Sequence, residues 1–264
     1  MKVNIYSVDG KTKTKIDLPK IFESPFRPDL IKRSVLSLQS AKRQPYGADV
    51  MAGMRTAAHY HGKRRYRYSM MNKNKARMPR LHGGAPHMTF RAREVPQTVK
   101  GRRSHPPKVE KVWKLKINNR ENIVALKSAI AATADKILVQ NRGHRVSGIN
   151  ELPIVLEDNV QEIKKTKDFE KLLLSLGLKD ELKRCQIKKE KPGRGKLRGR
   201  RYKKKIGPLV VVTDDKGISK AAVNIPGVNV IRVDDLNTEI LAPGADAGRL
   251  TIWSQSAMEK LKVF

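Results

Sequence analysis

Residues 207–233 read GPLVVVTDDKGISKAAVNIPGVNVIRV, and this stretch decides the fold. Leu209 to Val212 and Val228 to Val233 are short, β-branched runs bounded by turn signals, the pattern of parallel central strands. Ile218 to Ala222 lies between them with helical character. Strand, helix and strand in that order make a crossover unit of a mostly parallel sheet covered by helices.

The same alternation extends in both directions. Leu236 to Leu241 reads as a helix, and Leu250 to Trp253 as a further strand. Ser254 is placed to cap a last helix carrying Ala257, Met258 and Leu261. Upstream, Phe169, Leu172, Leu173 and Leu176 form an amphipathic helix stopped by Gly177. Pro153 to Leu156 reads as a buried strand. Asn119 is placed to cap a helix with an apolar face of Ile123, Leu126, Ile130, Ala134 and Ile137. At the start of the chain, Val3, Ile5 and Tyr6 predict a strand, Asp9-Gly10 a turn, and Ile16 to Leu18 a return strand. Pro28-Asp29 opens a helix with Leu30, Ile31, Val35, Leu38 and Ala41 at helical spacing.

Residues 42–108 break the pattern, with almost no helical or strand periodicity. They hold 17 Lys and Arg against Asp49 and Glu94, a net +15. Lys183 to Lys205 adds 13 Lys and Arg against Glu190, a net +12. Together these carry 27 of the 32 excess positive charges of the 264-residue chain. Charge concentrated in this way marks a binding surface for a polyanion. The long segment has too little apolar surface to offset the entropy of ordering it, so a partner must order it. As an extended arm its legs would reach at most about 110 Å, at about 3.3 Å per residue.

The fold expected is therefore α/β, a mostly parallel sheet flanked by helices, with a long extended basic loop inserted near the N-terminal third. Residues 1–41 and 109–264 form the globular domain, 42–108 the loop, and 188–205 a second basic segment within the domain.

The companions of the charges point to RNA. Five of six tyrosines lie in or beside the basic runs, and five of six histidines lie in the long segment. Flat side chains interleaved with Arg suit stacking on unpaired bases while guanidiniums hold phosphates. Residues assigned to this contact in the long segment are Lys42, Arg43, Tyr46, Arg55, His59, Tyr60, His61, Lys63, Arg64, Arg65, Tyr66, Arg67, Tyr68, Lys73, Lys75, Arg77, Arg80, His82, Gly83, Gly84, His87, Arg91, Arg93, Lys100, Arg102, Arg103, His105 and Lys108. In the second they are Lys188, Lys189, Lys191, Arg194, Lys196, Arg198, Arg200, Arg201, Tyr202, Lys203, Lys204 and Lys205.

Other chemistries find less support. Asp214-Asp215 and Asp234-Asp235 follow predicted strands, where paired acids could hold Mg²⁺. As helix caps they need no such role, with Thr213 or Asp214, and Asp234, as the capping residues. No Gly-x-Gly-x-x-Gly follows a strand, and Gly193 to Lys196 lacks the phosphate-loop spacing. His59, His61, His82 and His87 could hold a metal, but they lie among cations without a carboxylate cluster, so none is expected. The lone Cys185 sits beside cations that would lower its pKa, with no base identified. No cofactor or catalytic residue is expected. The absence of an apolar run at the N-terminus or of membrane-span length predicts an intracellular protein, soluble or bound to something soluble, without a membrane partner. An RNA-processing or RNA-modifying enzyme that uses the loop to hold substrate is the alternative. A DNA-binding reading lacks a helix-turn-helix, zinc finger or basic zipper.

Several stretches are distinctive together: Pro45-Tyr46-Gly47; Lys75 to Gly84, reading KARMPRLHGG; Lys100 to Pro107, reading KGRRSHPP; and Gly195 to Arg201 leading into Gly207 to Val212. On these the chain resembles the universal large-subunit ribosomal protein L-four family over its whole length. Eukaryotic members usually add a long basic C-terminal extension; a chain ending at Phe264 reads as archaeal. The resemblance implies a structural constituent of the large ribosomal subunit that binds 23S-type rRNA. It implies a globular domain on the outer face and a loop threading to the peptide exit tunnel. With the L-twenty-two family the loop tip would narrow the tunnel around the nascent polypeptide. Carried onto this chain, that tip lies within Arg64 to His87.

Overall fold

The computed structural model describes residues 2–262 and divides them into two units. The chain end at Phe264 lies outside the described residues. One unit comprises residues 2–42 and 114–262, the other residues 43–113.

The first unit is built, in chain order, from β1 (Lys2–Tyr6), β2 (Thr12–Asp17), α1 (Pro28–Ala41), α2 (Asn119–Ala131), α3 (Lys136–Asn141), β3 (Ile154–Leu156), α4 (Thr166–Ser175), α5 (Lys179–Gln186), β4 (Lys189–Glu190), β5 (Tyr202–Lys203), β6 (Leu209–Val212), α6 (Ile218–Ala222), β7 (Asn229–Arg232), α7 (Thr238–Leu241), β8 (Thr251–Ser254) and α8 (Gln255–Leu261). Six strands form one sheet in the order β2-β1-β3-β8-β6-β7. The β1–β2 hairpin is antiparallel, and every other pairing is parallel. β4 and β5 make a separate antiparallel hairpin.

Alternation of side chains along the strands feeds two cores, one on each face. Ile154, Leu156, Val210, Val212 and Ile252 pack with Phe169, Leu172 and Leu173 of α4, Leu182 of α5 and Ile218 of α6. Val3, Ile5, Val155, Leu209, Val211 and Trp253 pack on the other face with Ile31 and Val35 of α1, Ile130 of α2 and Met258 of α8. Each such buried aliphatic contributes about 1.5–3 kcal/mol. Phe22 meets Trp253 edge-on at 5.9 Å between ring centroids. The outer strand β2, TKTKID, is mostly exposed, and its lysines discourage edge pairing with another sheet.

Some expectations need correction. β7 is an edge strand and not a central one, with Asn229 and Arg232 exposed and Val230 and Ile231 half-buried. The buried face of α2 is Ala125, Ser128, Ala129 and Ile130, whereas Ile123 is 50 % and Ile137 67 % exposed. Small residues face inward there because α1 approaches closely and is tied by hydroxyls. Ser34 donates to Asn122 Oδ1 at 2.7 Å and lies 2.6 Å from the Thr238 hydroxyl. Ser128 Oγ accepts from Arg27 N at 2.7 Å. Ile137 belongs to the separate helix α3, and the residue in the cap position of α2 is Asn118.

The caps of α6 and α7 also differ. Asp215, not Asp214 or Thr213, accepts from the backbone of Gly217 and Ser219 at the start of α6. Asn237, not Asp234, caps α7 through Ile240 N at 3.0 Å. Ser254 caps α8 as expected, accepting from Ala257 N at 3.2 Å. No described helix is long and apolar enough to cross a membrane.

The second unit contains no described helix or ladder, only the isolated antiparallel bridges His59↔Arg80 and Arg80↔Ala92. The composition boundary at 108 falls inside this unit, which continues to Trp113. Arg65, Asn72, Asn74, Phe90, Glu94 and Lys100 all have positive φ, a cost that ordered irregular backbone must carry.

Candidate nucleic-acid interface

The centre of the second unit is Arg80. Its backbone exchanges hydrogen bonds with His59, while Leu81 and Arg93 N–H reach Arg91 and Pro79 carbonyls in the adjoining segment. Its guanidinium donates to Phe90 O and to Ala76 O, each at 2.8 Å. Arg93, 8 % exposed, donates to Val99 O at 2.8 Å. These two arginines hold the unit's own carbonyls, so their charge serves the scaffold first. Beneath them the apolar filling is slight, with Ala58 and Met70 the buried hydrophobics of the unit.

Almost all the other assigned residues of this unit are exposed; His61, Tyr68 and His82 are half-buried. Arg55 pairs with Asp49 at 2.6 Å. Lys42, which falls in the first unit, pairs with Glu239. The cationic surface is otherwise open, as phosphate contact requires.

The aromatic residues divide into two groups. Tyr46 and Tyr60 are exposed outside the cluster, and Tyr66 is an exposed member of it. His59, His61, His82, Tyr66, Tyr68 and Phe90 gather into one cluster with centroid separations of 4.1 to 6.4 Å. Within it burial, then the neighbouring His59 and His82, pushes the His61 pKa below the ordinary imidazole value. Lys73 lies 4.6 Å from the Phe90 ring and Arg67 5.3 Å from that of Tyr68. His87 and His105 stay outside the cluster.

Two aromatics escaped the sequence reading. Phe90 lies at the edge of the cluster just described, 6.2 and 6.4 Å from the Tyr68 and His82 rings. Trp113 stacks on Tyr46 at 4.9 Å, with Arg43 and Lys111 over its ring at 4.5 and 4.8 Å. A cleft of about 680 Å³ opens beside them, lined by Tyr46, Arg103, His105, Lys108, Lys111 and Trp113 among others. The signal was present in Lys111-Val112-Trp113-Lys114, the same interleaving of flat and cationic side chains, but it lay beyond the boundary at 108.

The second basic segment is the β4–β5 hairpin with a 3₁₀ turn, Arg194–Arg198, at its end. Arg201 bridges to Glu190 across the strands at 2.7 Å and lies 5.6 Å from the Tyr202 ring. Gly193 and Gly199 have φ near +79° and +75°, which fits glycine and turns the tip tightly. Only Lys191 and Lys205 among the assigned residues are half-buried; the rest face solvent.

At the strand ends, where an α/β enzyme would hold a ligand, a cleft of about 540 Å³ is lined by Asp214, Asp215, Arg232 and Asp235, and the polar groups around it bond to one another. Asp158 Oδ1 accepts from Ser256 N at 2.9 Å, Ser256 Oγ at 2.6 Å and Gln161 Nε2 at 3.1 Å. Thr213 donates to Ser256 Oγ at 2.6 Å. Asp235 pairs with Arg232 at 3.0 Å, and Asp234 approaches Lys260 at 3.5 Å. Cys185 is buried, and burial, then Glu181, raises its thiol pKa; the lowering expected from neighbouring cations is outweighed.

The family model for the ribosomal protein L4/L1 family matches residues 16–264. Large ribosomal subunit protein uL4 of Methanosphaera stadtmanae is 46 % identical over 98 % of this chain and 96 % of its own length. The proteins of the same name from Archaeoglobus fulgidus and Methanocaldococcus jannaschii are 45 % and 46 % identical, each over 99 % of this chain and 98 % of their own length. With its basic unit and hydrogen-bonded strand ends, the chain belongs to the ribosomal protein L4/L1 family.

Proposed function

We propose that the chain is a structural constituent of the archaeal large ribosomal subunit, in the cytoplasm, whose basic unit and hairpin bind 23S-type rRNA. The observation that carries this reading is the composition of residues 43–113. They hold 17 Lys and Arg against Asp49, Glu94 and Glu110, and most of these cations face outward. Their contact with phosphates releases counterions, which supplies affinity without a reaction. Tyr46, Tyr60, Tyr66 and Tyr202 are the exposed tyrosines that unpaired bases could meet. The chain is not an enzyme.

In its finer form, the proposal takes residues 42–108 as a loop running through rRNA to the exit tunnel. Its tip within Arg64 to His87 would then meet the nascent polypeptide beside an L-twenty-two family protein. A photo-crosslinking residue at position 64 or 87 of the full chain tests both levels in translating cells. Sedimentation of the chain with large subunits, and capture of nascent polypeptide from these positions, is the expected result. A chain that sediments free of subunits overturns the whole reading. Sedimentation without capture from either position overturns the tunnel assignment alone.

A further inference from the structure

His59, His61 and His82 offer ring nitrogens that lie within 4.8 Å of one another. Among the described residues no other group of three His, Cys, Asp or Glu side chains converges in this way. His59 and His61 come from one segment and His82 from another, held in register by the paired backbones of His59 and Arg80.

Two of the three rings make hydrogen bonds compatible with a ligand's role. His59 Nδ1 lies 3.2 Å from Ala57 O, and His82 Nε2 lies 3.3 Å from His59 O. A neutral imidazole that donates one N–H to a carbonyl carries its lone pair on the other nitrogen. That is the arrangement in which metal-ligating histidines are commonly fixed. On His82 the other nitrogen, Nδ1, is buried and has no hydrogen-bond partner. A buried nitrogen left unpaired is costly unless something else occupies its lone pair.

We propose that His59, His61 and His82 form a three-histidine site for a divalent transition metal, with Zn²⁺ as the expected occupant. Imidazole ligands suit Zn²⁺, with Cu²⁺ and Ni²⁺ as competitors. Tetrahedral coordination at about 2.0–2.1 Å requires ligand nitrogens about 3.4 Å apart, so the rings close slightly on the metal. The fourth position remains open to water. The surrounding cations oppose a dication, and in moderate salt only those more than about 10 Å away are largely screened. Arg80, the arginine embedded in the scaffold beside the site, is held to Phe90 and Ala76 carbonyls. Coordination would pin the His59–His61 segment to His82 and close the intervening residues into a loop, independently of any RNA.

The test uses the tag-free full chain freed of nucleic acid and titrated with Zn²⁺, and separately with Co²⁺ as a spectroscopic probe. One equivalent is expected to bind in the micromolar range or tighter, with the visible absorption of tetrahedral Co²⁺. His61→Ala and His82→Ala should each weaken binding about tenfold or more. His61→Asn, which keeps a flat polar side chain, should do the same, while His87→Ala and His105→Ala leave binding unchanged. Failure of the chain to take up either metal overturns the site. So does uptake that the His61 and His82 substitutions leave intact.

Discussion

His144 Nδ1 lies 2.6 Å from Glu181 Oε1, with both side chains sealed from solvent. Arg184 donates to the same carboxylate at 2.6 and 2.9 Å, and Arg145 N–H completes its shell at 2.9 Å. Arg184 continues to Ile206 O at 2.6 Å. One carboxylate thus ties the segment after α3, helix α5 and the chain entering β6. Burial pushes the Glu181 pKa up, but hydrogen bonds from Arg184, His144 and Arg145 outweigh it and hold the carboxyl at about 2. Removing one member leaves buried charge unpaired, so Glu181→Ala should destabilise the fold by about 3–5 kcal/mol in urea unfolding. Glu181→Ala stability equal to wild type would contradict this role.

The same network sets an acid sensitivity. The folded Glu181 pKa is below the unfolded value of 4.5, so its contribution is present above that pH and fades towards about 2. Burial also lowers the His144 pKa, despite the favourable Glu181 contact. The unfolded chain therefore binds a proton at His144 first, and stability falls as pH drops through about 6.5. Unfolding midpoints should decline from pH 7 towards 5 in the wild type, and less steeply in His144→Gln. Equal slopes in the two proteins would remove His144 from the account.

Asp215 and Asp214 separate by position. Asp215→Ala should cost about 1 kcal/mol, because it removes the acceptor for Gly217 and Ser219 N–H. Asp214→Ala should change stability by less than about 0.5 kcal/mol, because the contact of Asp214 with Gln161 is made by its backbone N–H. Chemical denaturation of the two variants decides the order.

Exposed and embedded arginines should behave differently towards RNA. Arg64 is exposed and has no protein hydrogen bond or ion pair among the described residues. Arg64→Ala should lower the slope of log binding constant against log salt by about 1 if it holds a phosphate. Arg93→Ala removes the contact to Val99 O, so it should increase protease cutting near residues 93–102 with little change in slope. Binding isotherms at several salt concentrations, with limited proteolysis, separate the two effects.

Much of the fold was legible because the short apolar runs of β3, β6 and β8 and the helical spacing of α1 and α4 coincide with what is buried. The strand–helix order after residue 207 was legible for the same reason. Ala125, Ser128 and Ala129 were not, because hydropathy favours Ile123 and Ile137, whereas close approach of α1 selects small side chains. Cap positions slipped because a side chain one residue away can reach the same N–H groups, as Asp215 does. At the candidate interface, charge and ring content singled out residues 42–108, whereas the unit in the structure runs from Arg43 to Trp113. Nothing local showed that Arg80 and Arg93 hold their own backbone, or that His59, His61 and His82 converge. Those facts depend on a pairing between distant segments that has no periodic signature.

The central claim is that residues 43–113 grip rRNA of the large subunit. Crosslinking protein to RNA in cells, and mapping both crosslinked partners, tests it most directly. Crosslinks from Tyr60 to His105 to large-subunit rRNA bordering the exit tunnel are the expected result. Crosslinks spread over messenger or transfer RNAs, from a chain found off the ribosome, would contradict it.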